Sequence, residues 1–154
     1  MSISVRWHDD KKEIVLYGFE GVWTWDELYR TFNEALVMET SLSYRVDVIV
    51  DMRLSKSIPA NALLHVKNIT DKQPDNLGLS IIVTPNVFVR ALYNAGSQFY
   101  KGIGHYFRVV PTVDEAFRVI AEDRQIHDNQ PVGKLKSAGT RLTNQHLLDS
   151  RDRK

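Results

Sequence analysis

The residues best able to support chemistry follow one short apolar stretch of the chain. Asp51 comes directly after Val46–Val50, a run rich in β-branched side chains that predicts a strand buried on both faces. A carboxylate in that position could act as a general base or a metal ligand, or it could cap a turn or pair with Arg53. We favour the structural roles, because metal sites need several converging ligands and the five histidines are scattered without a His-x-x-x-His spacing.

Two serines, Ser55 and Ser57, lie between this strand and a predicted helix. A phosphate on either serine would be stabilised by the free backbone N–H groups of the helix N-terminus. The alternative, which we favour, is that one serine caps the helix while the other is solvated. No Gly-x-Ser-x-Gly motif of a hydrolase surrounds them. With Asn61 near the start of the helix, the candidate loop site comprises Asp51, Arg53, Ser55, Ser57 and Asn61.

The composition narrows the possible functions further. With no cysteine among 154 residues, disulfides, thiol catalysis, iron–sulfur clusters and cysteine-bound zinc are excluded. We predict no catalytic constellation, no metal and no cofactor. A net charge of +1 gives no case for nucleic acid as a partner. No apolar run approaches the ~20 residues that span a bilayer, and the N-terminus has no signal-peptide core, so we expect a cytoplasmic protein without a membrane span.

The pattern of apolar residues predicts elements in the order β-β-α-β-α-β-α-β-α. Alternation and short β-branched runs predict strands at 2–7, 13–19, 46–50, 77–84 and 106–110. Apolar residues spaced by three or four predict helices at 25–39, 59–73 and 87–101, and a fourth after residue 112. The short first connection implies a hairpin. We therefore expect an α/β fold with a mixed sheet, whose N-terminal hairpin is antiparallel and whose other strands are parallel, with helices packed on the sheet.

Capping residues and breakers set the predicted helix boundaries. Thr24 and Glu27 have the spacing of a capping box before the first helix, and Thr112 with Glu115 repeats it before the fourth. Pro59 suits the first position of the second helix, and the glycines at 102 and 104 are expected to end the third.

Two tryptophans, Trp23 and Trp25, flank the first capping residue. They either line a groove beside Gly21 or form a hydrophobic staple at the start of the helix, and we favour the staple.

We assign residues 1–126 to one α/β domain and 127–154 to a basic, polar C-terminal tail. The apolar pattern ends near His127, and Lys and Arg outnumber Asp beyond it. Low hydrophobicity predicts a mobile tail, with a short helical turn at 142–148 as an alternative that docks on a neighbour.

The stretch 88–107 carries more aromatic residues than one helix can bury. We expect most of the rings to pack in the core and a few to form an exposed protein interface. Base stacking is the alternative, and the near-neutral charge argues against it. The candidate interface residues are Phe88, Tyr93, Phe99, Tyr100 and Tyr106.

The element order, the strand ending in Val-Asp-Met at 50–52, and the segment Val-Val-Pro-Thr-Val-Asp-Glu-Ala-Phe at 109–117 resemble the STAS-like domains. These share the anti-sigma-factor-antagonist fold, and the closer resemblance is to its divergent SpoIIAA-like branch of small bacterial proteins. It covers roughly residues 2–123. In the family's antagonists, the strand-to-helix loop carries Asp-Ser-Ser-Gly, whose serine a partner kinase phosphorylates. This chain has Pro-Ala-Asn-Ala at 59–62 instead, so we expect no phospho-serine switch.

Three functions follow, in order of preference. The first is a non-enzymatic regulatory or protein-interaction module with an unidentified protein partner, self-associating as a homodimer through the third helix. The second is a small-molecule or lipid-binding domain, with an apolar pocket between the helix layer and the carboxyl end of the sheet. The third is an enzyme in which Asp51 and a histidine act as acid and base.

Overall fold

The structure is a computed structural model that describes residues 2–128. Within them the chain forms five strands and five helices: β1 (Ile3–Trp7), β2 (Ile14–Gly21), α1 (Trp25–Thr40), β3 (Val46–Ser55), α2 (Ala62–Asp71), β4 (Leu77–Val83), α3 (Val87–Phe99), α4 (Lys101–Tyr106), β5 (Phe107–Val110) and α5 (Val113–Asp128).

The chain divides into two compact units, Met1–Phe117 and Arg118–Lys154, and the boundary lies within α5. All strands of the described residues and the helices α1 to α4 belong to the first unit. The predicted tail lies outside the described residues except for His127 and Asp128, which end α5.

The strands lie side by side in the sheet in the same order as in the sequence, β1-β2-β3-β4-β5. β1 pairs with β2 in the antiparallel sense, and every later pair is parallel. Each parallel connection contains at least one helix, because the chain must return to the starting edge before the next strand can run the same way. The predicted α/β fold with its mixed sheet is confirmed.

Burial explains why these segments form strands. Val15, Tyr17 and Phe19 alternate on one face of β2 and are all buried. β3 is different, since Val46–Ile49 is buried on both faces, as expected for a strand inside a parallel sheet. Ala35 of α1 packs in the same core cluster as Val48.

The central strand is longer than predicted. β3 does not end at Asp51 but continues to Ser55, because β2 still pairs with it there, through Glu20 opposite Leu54 and Gly21 opposite Ser55. The segment 51–55 stays in the strand although its side chains are partly or largely exposed, so the predicted strand end was wrong.

The predicted start of α2 was also wrong. The helix begins at Ala62 rather than Pro59, and its N-cap is Asn61, whose backbone is left-handed with φ 64°. Asparagine tolerates this conformation better than most residues do. Within the described residues its side chain makes no capping bond, and neither Ser55 nor Ser57 caps the helix as we had favoured.

The two glycines predicted to end the third helix lie inside a further helix. α3 ends at Phe99, the extended Tyr100 separates the two, and α4 contains both Gly102 and Gly104. A Cβ on Gly102 would lie 2.8 Å from Cγ2 of Thr70, so this glycine lets α4 approach α2 closely.

The first capping box is only half formed. The backbone N–H of Glu27 donates to Oγ1 of Thr24 at 3.2 Å, as predicted. The carboxylate of Glu27 does not return to the helix, however. It accepts from the backbone N–H groups of Ser2 and Ile3 at 2.8 and 3.1 Å, which ties the first turn of α1 to the start of β1.

A buried carboxylate holds an irregularity between β3 and β4. The pairing shifts between Val46 and Val48, and Asp47 fills the shift by accepting from the backbone N–H of Leu79 at 2.7 Å. Arg45 donates to the same oxygen from Nη2 at 2.8 Å and from Nε at 3.1 Å. Gly78 leaves the space for both groups, since a Cβ there would collide with them.

Candidate functional site

A cavity of about 140 Å³, called the main cavity below, lies between one face of the sheet and the helices α1 to α4. The sheet side is formed by Tyr17, Phe19, Val48, Val50, Met52, Ser80, Ile82 and Phe107. Helical side chains close the opposite side, among them Leu28, Phe32, Leu63, Val66, Ile69, Leu92 and Ile103. The lining is almost wholly apolar.

Strand geometry places the cavity floor on one face. Alternation turns Val48, Val50 and Met52 to the same side of β3, and the parallel register sets Tyr17 and Ile82 beside Val50. Close-packed interiors contain few voids larger than a water molecule. A space of this size above a regular sheet therefore means that the helix layer does not fill the gap.

Several helical side chains line the cavity and yet remain partly exposed to solvent. They are Leu28 of α1, Leu63 and Val66 of α2, and Leu92 of α3. The helix layer therefore leaves the cavity partly open to solvent.

The cavity runs between the two ends of the strands. At the carboxyl end of β3, Nε1 of Trp25 in the first turn of α1 donates to the carbonyl of Ala60 at 2.7 Å. At the amino end of β4, Nδ2 of Asn76 donates to the carbonyl of Glu39 in the last turn of α1 at 2.9 Å. Among the lining residues, Trp25 thus marks the carboxyl end and Glu39 the amino end.

Glu39 is the charged side chain of this lining, and it is only 1% exposed. Among residues 2–128 its Oε2 has no hydrogen-bond partner. Burial raises the pKa of this carboxyl to about 7. Burial, and secondarily the charge of Glu39, also raises the pKa of the neighbouring Tyr17. The last turn of a helix is itself unfavourable for a carboxylate, because the helix dipole is negative there.

Aromatic rings close the opposite end. Trp25 stacks on His65 of α2 with ring centroids 4.6 Å apart and meets Trp23 edge to face at 4.9 Å. The hydroxyl of Tyr29 lies 2.7 Å from Nδ1 of His65, and Nε1 of Trp23 donates to Oγ of Ser55 at 2.9 Å. Both tryptophans line the cavity, as expected for the groove, and Trp23 and Leu28, which hold the N′ and N4 positions of a staple, belong to the same apolar cluster.

Two members of the predicted loop site pair with each other. The carboxylate of Asp51 accepts from Nε and Nη2 of Arg53 at 2.9 and 2.8 Å, and these hydrogen bonds lower the pKa of Asp51. This is the arginine pairing that we had favoured over a catalytic role.

The two serines lie together beside a second, more polar pocket of about 200 Å³. Oγ of Ser55 accepts from Trp23 and donates to the carbonyl of Ser57 at 3.1 Å. Arg53 and Asn86 line the same pocket, whereas Asn61, the remaining predicted member, lies at the start of α2 and outside this lining.

The predicted aromatic interface separates into exposed and packed rings. Phe88 and Phe99 are 56% and 76% exposed. Tyr93 lines the main cavity and donates its hydroxyl to the carbonyl of Phe107 at 2.8 Å. Tyr106 packs against the core cluster, and Tyr100 is half-buried, with Nζ of Lys67 5.6 Å from its ring centroid.

Within residues 2–128, no group of three or more His, Asp or Glu side chains could hold a metal ion. None of the helices in that range is long and apolar enough to cross a bilayer.

The sequence prediction missed Glu39 as a site residue, although a signal for it exists. Leu28, Phe32 and Ala35 recur at the spacing of a buried helix face, and Glu39 is the next position on that face. A charged residue on an apolar stripe is a candidate for function, since burial of an ionisable group must be compensated.

No protein-family model, curated protein or solved structure significantly matches this chain. The resemblance to STAS-like domains therefore stays a prediction.

Proposed function

We propose that the first unit binds a small apolar molecule in the main cavity. The cavity itself carries this proposal, because its space of about 140 Å³ is lined almost wholly by apolar side chains, and sites for small molecules are concave and mostly apolar. An apolar cavity of about 150 Å³ in another protein stays dry and accepts benzene, which sets the size of ligand expected here.

The ligand enters between the helices. Ala62, Leu63 and Val66 of α2 combine a place in the cavity lining with partial exposure, so a small displacement of this helix widens the opening to solvent. The start of α2 suits such a movement, because its N-cap, Asn61, contributes no side-chain bond within the described residues.

Mass spectrometry and NMR test this function with a matched pair of variants. Val66→Phe places a phenyl ring in the cavity, whereas Leu64→Phe places the same ring at a position of α2 whose side chain is 56% exposed. Protein purified from cells should carry an added mass under native conditions, and after removal of that ligand benzene should shift the methyl resonances of Val48 and Ile69. We expect both signals in the wild type and in Leu64→Phe, and neither in Val66→Phe.

Absence of both signals from the wild type would contradict the proposed function. Equal binding by Val66→Phe and the wild type would also contradict it, because the ligand would then lie elsewhere.

A second candidate is the regulatory interaction module with a protein partner, here a second copy of the chain. Two exposed rings favour it: Phe88 and Phe99 lie about three turns apart on α3 and therefore on the same side of the helix. The other ground for a module of this kind is the STAS-like resemblance, which rests on the element order and on the two motifs at 50–52 and 109–117. Binding of a small molecule and self-association are compatible.

Sedimentation velocity tests the second candidate. We expect a dimer that dissociates when Phe88 and Phe99 are both changed to Ser, while Gln98→Ser, at another exposed position of α3, leaves it intact. A wild type that stays monomeric at high concentration would remove this candidate without affecting the first.

A further inference from the structure

The amino end of the main cavity holds an acceptor without a donor. Glu39 is 1% exposed and lines the cavity, and Oε2 has no hydrogen-bond partner among residues 2–128. Such a buried acceptor is uncommon in native proteins, because it has lost its hydrogen bonds to water without replacement.

The side chain of Glu39 is not needed to finish the helix. The backbone carbonyl of Glu39 already accepts from the N–H of Leu42 at 3.2 Å and from Asn76 at 2.9 Å. The helix end and its connection to β4 are therefore held by the main chain and by Asn76, and the carboxylate is left facing the cavity.

The charges around the cavity indicate which kind of group would complete the site. Among the described residues, none of the side chains that line it is basic, so the lining offers Glu39 no counter-ion. Apart from the two indoles, the polar side chains that share the lining are uncharged, namely Tyr17, Gln73, Ser80 and Tyr93. A ligand carboxylate would face Glu39 with the same charge, whereas an ammonium group would supply both the missing donor and the missing charge.

Resting on the proposed function, we infer that the ligand is a small apolar amine whose ammonium group pairs with Glu39 while its hydrocarbon part fills the cavity. The pairing is a charge-assisted hydrogen bond to a carboxylate that is only 1% exposed, and such bonds are stronger in surroundings of low dielectric constant. The apolar walls set the size of the hydrocarbon part, which is close to that of one benzene ring.

Four ring compounds of nearly equal size separate this inference from the proposed function. Toluene tests the apolar cavity alone, whereas benzylamine, benzyl alcohol and benzoate add a cationic donor, a neutral donor and an anion. NMR titration of the full chain at pH 8 measures each affinity. We expect benzylamine to bind about tenfold or more tightly than toluene and benzyl alcohol, and benzoate to bind most weakly.

The variants Glu39→Gln and Glu34→Gln test whether the preference for benzylamine over toluene depends on Glu39. Both lie on α1, but Glu34 is exposed. In Glu39→Gln we expect the advantage of benzylamine over toluene to disappear while toluene binds as before, and in Glu34→Gln we expect both affinities to stay at wild-type values. The comparison of the four compounds on the wild type decides the matter even if Glu39→Gln folds poorly.

The outcomes that would contradict the amine differ from the one that would contradict the proposed function. Equal affinities for toluene and benzylamine, tighter binding of benzyl alcohol or benzoate, or an unchanged preference in Glu39→Gln would overturn the amine and leave the apolar cavity standing. Failure of all four compounds to bind would overturn the proposed function as well.

Discussion

Asp47 and Glu39 are equally buried carboxylates in very different surroundings. Asp47 is 0% exposed, and one of its oxygens accepts from the backbone of Leu79 and twice from Arg45. Glu39 is 1% exposed and faces an apolar cavity, with an oxygen that lacks a partner among the described residues.

The difference separates a carboxylate whose donors belong to the protein from one that has an oxygen without a donor among the described residues. The donors around Asp47 come from the protein, and its carboxylate stabilises the irregularity between β3 and β4. Oε2 of Glu39 receives no such bond from residues 2–128. Burial alone therefore says little about the role of an acidic residue, whereas the source of its hydrogen-bond donors says much.

We expect the largest loss of stability when Asp47, the carboxylate that accepts hydrogen bonds from the protein, is removed. Asp47→Ala should lower the free energy of unfolding by about 3–5 kcal/mol, because it leaves the guanidinium of Arg45 and the N–H of Leu79 without this acceptor. Urea denaturation measures the loss. Asp51→Ala is the control, since its pair with Arg53 is half-exposed and worth about 1 kcal/mol or less. A loss at Asp47 as small as that at Asp51 would show that the buried pair is not structural.

We expect a gain in stability when Glu39, whose Oε2 has no donor among the described residues, is neutralised. Burial raises the pKa of Glu39 from 4.5 to about 7 in the folded protein. The folded state therefore holds this proton more tightly than the unfolded state, and the free energy of unfolding falls as the pH rises from 4.5 to 7. Above that range the destabilisation is complete and amounts to about 3 kcal/mol.

Glu39→Gln should remove most of this destabilisation. We expect the variant to exceed the wild type in the free energy of unfolding by up to about 3 kcal/mol at pH 8 and to lose the advantage near pH 4.5. Urea denaturation across this pH range tests it, with the exposed Glu34→Gln as control. A constant difference between variant and wild type at all pH values would mean that Glu39 titrates normally.

The smallest effect concerns the glycine that makes room for Asp47. Gly78→Ala should lower the free energy of unfolding by about 2 kcal/mol, because the new methyl group collides with Arg45 and with the carboxylate of Asp47. In the double variant with Asp47→Ala we expect the total loss of stability to be about 1 kcal/mol smaller than the sum of the losses in the two single variants. Strict additivity in the double-mutant cycle would separate Gly78 from the buried pair.

The fold was predictable from the sequence because its determinants are local. Alternation in β2, the β-branched run in β3 and the capping residue Thr24 each act over a few residues, and each was interpreted correctly. One error arose where a distant residue decides, because β3 extends to Ser55 through its pairing with Gly21. The other arose at Asn61, whose left-handed backbone delays the start of α2 and was not predicted from the sequence.

The site was less predictable than the fold. A pocket between the helices and the sheet was among the hypotheses, but its position depends on the distance between α2 and the sheet, which no local pattern encodes. The candidate loop residues were chosen for their chemistry, yet Asp51 and Arg53 satisfy each other. Glu39 was overlooked because it coincides with the predicted end of its helix, although its place on the apolar stripe distinguished it.

The stacking of Trp25 on His65 gives the protein a built-in optical probe. The indole belongs to α1 and the imidazole to α2, so their contact at 4.6 Å reports the separation of the two helices at one end of the cavity. Indole emission is sensitive to neighbouring rings and to water. A displacement of α2 therefore changes the intrinsic fluorescence, and opening of the cavity becomes measurable in real time without an attached dye.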